Sequence, residues 1–397
     1  DGDLDLFAAK DRVEIRRNNG DGTFSYIGDR SAFPPAGSTA DDGAIGDFDD
    51  DGDIDLFVVN RGLGCTLYTN LRQGQMKQMT HETGISQDAP FTAVAIGDYD
   101  NDGDLDLFLT TTGETPYQLY RNRGDGSFAL DMRSHEQMGT GTEGVHGLDT
   151  HFLDYDNDGF LDLWLIGKPR AADRRGVFLF RNDGTGRFAD VSNLMPSTIR
   201  RGLQGTFGDY DSDGDLDLFM IDADACVIAL NNEGGNQNGW LQVRLEGVNA
   251  GNNKNNIDGI GSKVEIKAGG LYQMRNVTQP LTHFGLGVTE QADVFRVVWT
   301  NGVPQNVILP RTNQRIREKQ ILKGSCPFLY IYDGQSYQFL TDLLWRSPLG
   351  MVTPMGFLAP TETADYVKIP GEIMKPKAGV YSLQITEELW ETAYFDK

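Results

Sequence analysis

Four short, almost wholly apolar runs recur in the first 235 residues: Leu56–Val59, Leu107–Leu109, Leu163–Ile166 and Leu218–Ile221. Strands apolar on both faces need cover on both sides, so these runs predict sheets stacked against one another. Ahead of each lies a short run rich in small residues, such as Ala44-Ile45-Gly46 or Ala93 to Gly97. A third run follows, as in Gln118 to Asn122 or Val177 to Asn182. A glycine hairpin and an aromatic then close the unit: Gly20-Asp21-Gly22-Thr23-Phe24, Gly124-Asp125-Gly126-Ser127-Phe128 and Gly184-Thr185-Gly186-Arg187-Phe188. The glycines predict positive φ in tight turns, and the phenylalanine opens an outer strand. Residues 71–91 are the least regular version, with Gly74 alone in the turn.

Between the small-residue run and the apolar run sits a nine-residue acidic loop. Asp98-Tyr99-Asp100-Asn101-Asp102-Gly103-Asp104-Leu105-Asp106 has aspartates at positions 1, 3, 5 and 9 and glycine at position 6. The same register recurs as Asp47, Asp49, Asp51 and Asp55 about Gly52; Asp154, Asp156, Asp158 and Asp162 about Gly159; and Asp209, Asp211, Asp213 and Asp217 about Gly214. Alternating carboxylates converge when a loop winds round a hard cation, with glycine taking the sharp turn. Position 7, held by Asp53, Asp104, Phe160 and Asp215, is expected to offer its carbonyl, since a phenylalanine side chain cannot bind calcium. Position 12, where an EF-hand has a bidentate glutamate, is Val58, Leu109, Leu165 or Met220, inside the apolar run. These are EF-hand-like loops without EF-hand helices. The chain opens within a fifth, partial copy, Asp1-Gly2-Asp3-Leu4-Asp5, which lacks the first two ligand positions. Asp and Gly clusters are also ordinary turn formers, but four complete copies in fixed register favour metal sites. Calcium suits them better than magnesium, which demands tight octahedral geometry and keeps its waters.

First ligands at 47, 98, 154 and 209 are spaced by 51, 56 and 55 residues. A period near fifty with several strands per unit predicts β-propeller blades. The 397 residues leave room for two or three domains, and 48 glycines suit an all-β chain with many turns. The net charge of −23 argues against nucleic acid as partner. Much of it is local to the loops, and four calcium ions would bring −23 to −15. No apolar run approaches a membrane span. The three cysteines, Cys65, Cys226 and Cys326, make no disulfide framework; Cys65 and Cys226 sit at similar places in separate repeats, and buried free thiols are expected.

The repeats, residues 1–235, resemble the VCBS and FG-GAP repeats of bacterial surface proteins and integrin α-subunit propellers, on their paired Asp loop and Gly-Asp-Gly hairpin. The resemblance implies that each calcium loop joins the first and second strands of a blade. It also implies seven blades in a complete ring, where about five repeats are present here, the first incomplete. Arg123-Gly124-Asp125 spells an integrin-ligand tripeptide, but its Gly-Asp-Gly belongs to the hairpin, so a turn is the reading.

From residue 236 to 323 the acidic loops stop and alternating strands appear: Trp240 to Leu245, Lys263 to Ile266 and Val294 to Trp299. Asp258-Gly259-Ile260-Gly261-Ser262, His283-Phe284-Gly285-Leu286-Gly287 and Val298-Trp299-Thr300-Asn301-Gly302 resemble the ASPIC/UnbV domain. That pairing is of the cartilage acidic protein type and its bacterial homologues, and implies a β-sandwich-like module. Residues 249–256 read as an enlarged polar loop, and His283 as a structural histidine. Residues 324–397 read as the start of a further β-rich domain. In it, Pro327 to Leu340 forms a hairpin, residues 341–362 an apolar loop with Trp345, Met351 and Met355, and Tyr381 to Ile385 and Leu389 to Phe395 two strands. Asn276-Val277-Thr278 is an N-glycosylation sequon, meaningful only in a host that uses it.

These features predict a non-enzymatic, extracellular (secreted or cell-surface) β protein with structural Ca²⁺ in four complete sites and a fifth partial one. It would serve adhesion, matrix or surface assembly, with copies of itself, surface or matrix proteins or glycans as partners. One alternative is a self-assembling subunit of an extracellular fibre or tube, joined through unpaired strand edges. The other is a polysaccharide-acting enzyme, for which His146, Asp149 and His151 form the nearest titratable cluster; in a strand 149 and 151 share a face and 146 takes the other.

Overall fold

The computed structural model describes residues 3–8, 14–26, 39–62, 64–71, 76–133, 138, 141–171, 174–250, 253–321, 328–342 and 367–386. Asp1, Gly74, Cys326, residues 343–362 and the strand expected at 389–395 lie outside them. The first 235 residues build five antiparallel sheets in succession. Blade 3 runs from its inner strand Phe91–Gly97 through Asp106–Thr111 and Tyr117–Asn122 to the outer Phe128–Leu130. Blade 4 repeats it with Val145–Leu153, Asp162–Pro169, Val177–Asn182 and Phe188–Asp190. Blade 2 is Ala40–Gly46, Asp55–Asn60, Cys65–Asn70 and Met76–Met79. Blade 1 shows Leu6–Ala8, Glu14–Asn18 and Phe24–Tyr26, and blade 5 shows Gly202–Gly208, Asp217–Asp222 and Val227–Leu230. No sheet closes on itself among the described residues.

The apolar runs are the second strands, and those of blades 2 to 4 are buried along nearly their whole length. Their cover is the neighbouring blade. Phe57, Leu67, Phe91, Leu107 and Phe128 form one core between blades 2 and 3, and equivalent layers lie between blades 3 and 4 and blades 4 and 5. The hairpin glycines have the positive φ expected, 76° and 73° at Gly124 and Gly126 and 77° and 79° at Gly184 and Gly186. Arg123-Gly124-Asp125 is such a turn, closed by the Ser127 N–H donating to Asp125 Oδ1.

An asparagine at or just past the end of the third strand in blades 3, 4 and 5, missed in the sequence, joins each of these blades to the one before. Asn122 Nδ2 donates to the carbonyls of Leu105 in its own loop and Phe48 in the preceding one. Asn182 does so to Leu161 and Tyr99, and Asn232 to Leu216 and Tyr155. Each Oδ1 accepts the N–H of the glycine two residues on, Gly124, Gly184 and Gly234, the first two of which open hairpins.

Beyond the blades, Gly239–Glu246 lies between Thr282–Gly287 and Gln314–Lys319 in a three-stranded sheet. It faces a seven-stranded sheet containing Lys263–Ala268, Leu271–Asn276, Val294–Val298 and Pro304–Ile308. Leu241, Val243, Ile266, Phe284, Phe295 and Trp299 fill a separate core. The hairpin Phe328–Tyr332 and Tyr337–Asp342 extends the larger sheet through the pair Ile308–Tyr337, and Leu383–Thr386 pairs with Phe328–Tyr332. Cys65 is a buried free thiol, but Cys226 is free and exposed, contrary to expectation. It precedes the last strand of blade 5, whose residues Val227 and Ala229 are also exposed, where the matching strands of blades 2 to 4 are buried.

Candidate metal centres

Each loop leaves the end of an inner strand and returns into the second strand, so its geometry is set by sheet pairing. Position 4 takes a left-handed turn at Asp50, Asn101, Asn157 and Ser212 (φ 54°, 58°, 55° and 65°), and the position-6 glycines follow at 84° to 100°. This double reversal brings the carboxylates of positions 1, 3 and 9 together. Asp47, Asp49 and Asp55; Asp98, Asp100 and Asp106; Asp154, Asp156 and Asp162; and Asp209, Asp211 and Asp217 each offer oxygens within 4.8 Å of one another.

Position 9 is fixed by backbone. Asp106 Oδ2 accepts the Tyr99 N–H at 3.3 Å and Oδ1 the Asn122 N–H at 2.8 Å; Asp55, Asp162 and Asp217 repeat both bonds. The partial loop keeps one of them, from the Asn18 N–H to Asp5 Oδ1, while Asp3 is exposed. Position 1 is also held by its loop: Asp98 accepts the N–H groups of Asp102 and Gly103, and Asp47 and Asp154 are held alike.

Position 5 stays outside these groups. Asp51, Asp102, Asp158 and Asp213 each accept the N–H of position 7. Arg121 bridges Asp100 and Asp102 at 2.8 and 2.6 Å, and Arg181 bridges Asp156 and Asp158 at 2.6 and 2.9 Å. These guanidiniums take the Oδ2 atoms of Asp100 and Asp156 and leave Oδ1 free. At position 7 the side chains of Asp53, Asp104 and Phe160 belong to none of the groups, and Asp215 is buried with Oδ2 accepting the Asn236 N–H.

The loops suit a hard cation on one direct observation. Asp49 Oδ1, Asp100 Oδ1, Asp156 Oδ1 and Asp209 Oδ1 are buried with no hydrogen-bond partner. An unsatisfied buried acceptor costs about 1–3 kcal/mol, more when charged, and a cation among three converging carboxylates removes that deficit. Burial, with neighbouring carboxylates adding to it, pushes Asp47 up to about 6 and Asp55 to about 7. Asp98 likewise rises to about 7, and Asp106, Asp154 and Asp162 are raised too.

The second module sits on these loops. His283 Nε2 lies 2.5 Å from Asn157 Oδ1, and burial lowers its pKa to about 3, so it is a neutral structural histidine. The Arg275 guanidinium stacks 5.5 Å from the Phe284 ring centroid and acts electrostatically on Asp98 and Asp154. Lys263 reaches Asp50 at 2.9 Å. A cavity of about 340 Å³ between module and inner strands is lined by Asp42, Asp149, His151, Arg275 and His283. There His151 pairs with Asp149 at 3.1 Å, and the same carboxylate oxygen accepts the Gly205 N–H of blade 5; His146 is apart, accepting from Arg170.

Antiparallel units of three or four strands in succession, each turning on an aspartate loop, define a propeller-type repeat protein. Residues 1–58, 47–109, 98–165 and 154–220 match the FG-GAP-like repeat family, and residues 251–321 match the family described as ASPIC and UnbV. The chain belongs to the FG-GAP-like repeat family, with an ASPIC/UnbV module after the repeats. It is similar to cartilage acidic protein 1 of Xenopus tropicalis, 29% identical over 160 residues that make up 38% of this chain and 23% of that protein. Among solved structures it is similar to an Agrocybe aegerita lectin that recognises non-reducing terminal N-acetylglucosamine (TM-score 0.35, 19% identity, 57% of this chain and 59% of that one). It is also similar to the Vibrio cholerae (V. cholerae) biofilm matrix protein Bap1 (TM-score 0.25, 11% identity, 68% and 59%).

Proposed function

We propose that this chain is an extracellular, calcium-stabilised β-propeller protein, non-enzymatic, that serves adhesion, matrix or surface assembly. The observation that carries the calcium reading is the buried, partnerless carboxylate oxygen in each of four converging aspartate groups. Membership of the FG-GAP-like family and the likeness to a cartilage acidic protein support the extracellular setting. Among the described residues no helix is long and apolar enough to cross a membrane.

Calcium here is structural. Positions 1, 3 and 9 would hold the ion, with the position-7 carbonyl (Phe160 in blade 4) as the neutral ligand. The ion supplies charge neutralisation, and the loop supplies fixed carboxylates, so binding and blade folding are coupled. At a Kd of ~10⁻⁴ M and millimolar calcium each site stabilises the fold by about 1.4 kcal/mol. Four such sites approach the whole stability of an ordinary domain. Calorimetry on the full chain tests the reading: four equivalents with affinity near 10⁻⁴ M are expected, and one or none removes its basis. For the role, arrays of glycans and matrix proteins probed with and without chelator should show calcium-dependent capture. Turnover of polysaccharide would instead favour an enzyme.

A further inference from the structure

The loop at 209–217 is built differently from the other three. In those, the loop's own N–H groups hold both oxygens of the first carboxylate. At Asp209 the donors come from the second module. Gln242 Nε2 donates to Asp209 Oδ2 at 2.7 Å, and Arg315 Nη2 reaches the same oxygen at 3.3 Å. Arg315 Nε donates to Gln242 Oε1 at 2.6 Å, tying the two donors together. Gln242 is fully buried, and the Asp209 side chain is 0% exposed. Asp209 Oδ1 is left buried and without a partner, within the group formed with Asp211 and Asp217. Trp240 is seated so closely on this loop that a Cβ at Gly214 would lie 2.0 Å from its indole nitrogen.

We propose that Gln242 and Arg315 are positioning residues for calcium at the 209–217 loop, so that this site is completed by the ASPIC/UnbV module. The proposal rests on the calcium reading above. A ligating carboxylate needs its second oxygen held if the first is to face the ion, and loss of such outer partners commonly weakens a metal site 10–100-fold. The other three first carboxylates are held by backbone of their own loops and need no help. Among the described residues, the hydrogen bonds to the Asp209 carboxylate come from outside the blades. The guanidinium's positive charge opposes the ion, but it hydrogen-bonds to the oxygen that would not ligate. Linkage then requires the reverse effect: calcium at this loop tightens the seating of the module by the same factor.

The test is calcium binding to the full chain with Gln242→Ala and, because Gln242 is buried, with the half-exposed Arg315→Gln as a second variant. Chelator-competition titration gives the affinities, and anomalous scattering from crystals at limiting calcium gives occupancy loop by loop. The expected result is about a 10-fold loss at 209–217, three unchanged loops, and partial recovery in Arg315→Lys. Hydrogen exchange in Gly239–Glu246 should slow with calcium in the wild type and not in Asp209→Asn. Unchanged occupancy at 209–217 in both variants, or an equal loss at all four loops, overturns the proposal while leaving calcium binding intact. No binding in the wild type overturns both together.

Discussion

Asn182 ties two blades through one side chain. Its Nδ2 donates to the Tyr99 carbonyl in blade 3 at 2.8 Å and to the Leu161 carbonyl in its own loop at 3.1 Å. It is fully buried, and its backbone N–H rests on Asp162. Asn182→Ala would strand two buried carbonyls, so a loss of about 2–4 kcal/mol is expected. Denaturant unfolding with calcium present measures it. A change under about 0.5 kcal/mol, the range of ordinary surface substitutions, would show that the staple is incidental.

The two aspartates Asp100 and Asp104 should differ sharply. Asp100 Oδ1 is buried, partnerless and grouped with Asp98 and Asp106, whereas the Asp104 side chain belongs to no such group. Asp100→Ala should weaken calcium at this loop at least about 10-fold, the scale on which even outer partners of a metal ligand matter. Asp104→Ala should leave it nearly unchanged, because position 7 offers a carbonyl. Equal losses by titration would refute the assignment of position 7.

The metal-free array should lose stability as the pH rises. Folding lifts Asp47 to about 6 and Asp55 and Asp98 to about 7, against 3.8 unfolded. Below about pH 4 both states are protonated and the fold carries no penalty from these groups. Between about pH 4 and 7 the unfolded chain releases protons that the folded chain retains, so stability falls through that window. Calcium binds the ionised form, so its stabilising effect should grow over the same range. Thermal melts in chelator and in calcium, at about pH 5.5 and about pH 8, check the sign. A chelated midpoint that does not fall with pH would contradict it.

The repeat geometry was legible because it is local. Fixed glycines demand positive φ, and aspartates at alternate positions converge once the loop turns at Gly52, Gly103, Gly159 and Gly214. The interblade asparagine left a signal too: Asn122 and Asn182 each stand two residues before a hairpin glycine, and Asn18 holds the same place in the first repeat. Its partner one blade back is about eighty residues away in sequence (Tyr99 for Asn182), beyond any local pattern. The arginines that bridge positions 3 and 5 from the third strand, Arg121 on Asp100 and Asp102 and Arg181 on Asp156 and Asp158, left no mark in the loop pattern. Contacts such as His283 with Asn157 and Arg315 with Asp209 join residues more than a hundred apart. Nothing in periodicity predicts them, because they depend on how two separately formed sheets meet.

Chelation should therefore separate the two halves of the chain. The array holds its converging aspartates in loops that join the first two strands of each blade, and position 9 begins the second strand itself. Without calcium the converging carboxylates repel across that junction. Because the cores lie between blades rather than within them, failure of one pair exposes the next. The ASPIC/UnbV module loses its seat on the loops, but its core of Leu241, Val243, Ile266, Phe284, Phe295 and Trp299 is its own. Residues 1–235 should unfold in chelator while 238–323 remain folded, and limited proteolysis should leave a fragment beginning near Asn238. Arg275 and His283, half-buried in the intact chain, should then become accessible, giving a second readout by hydrogen exchange across Leu271–Asn276 and Thr282–Gly287. If the array melts at one temperature with and without calcium, the metal is incidental and the loops are only acidic turns.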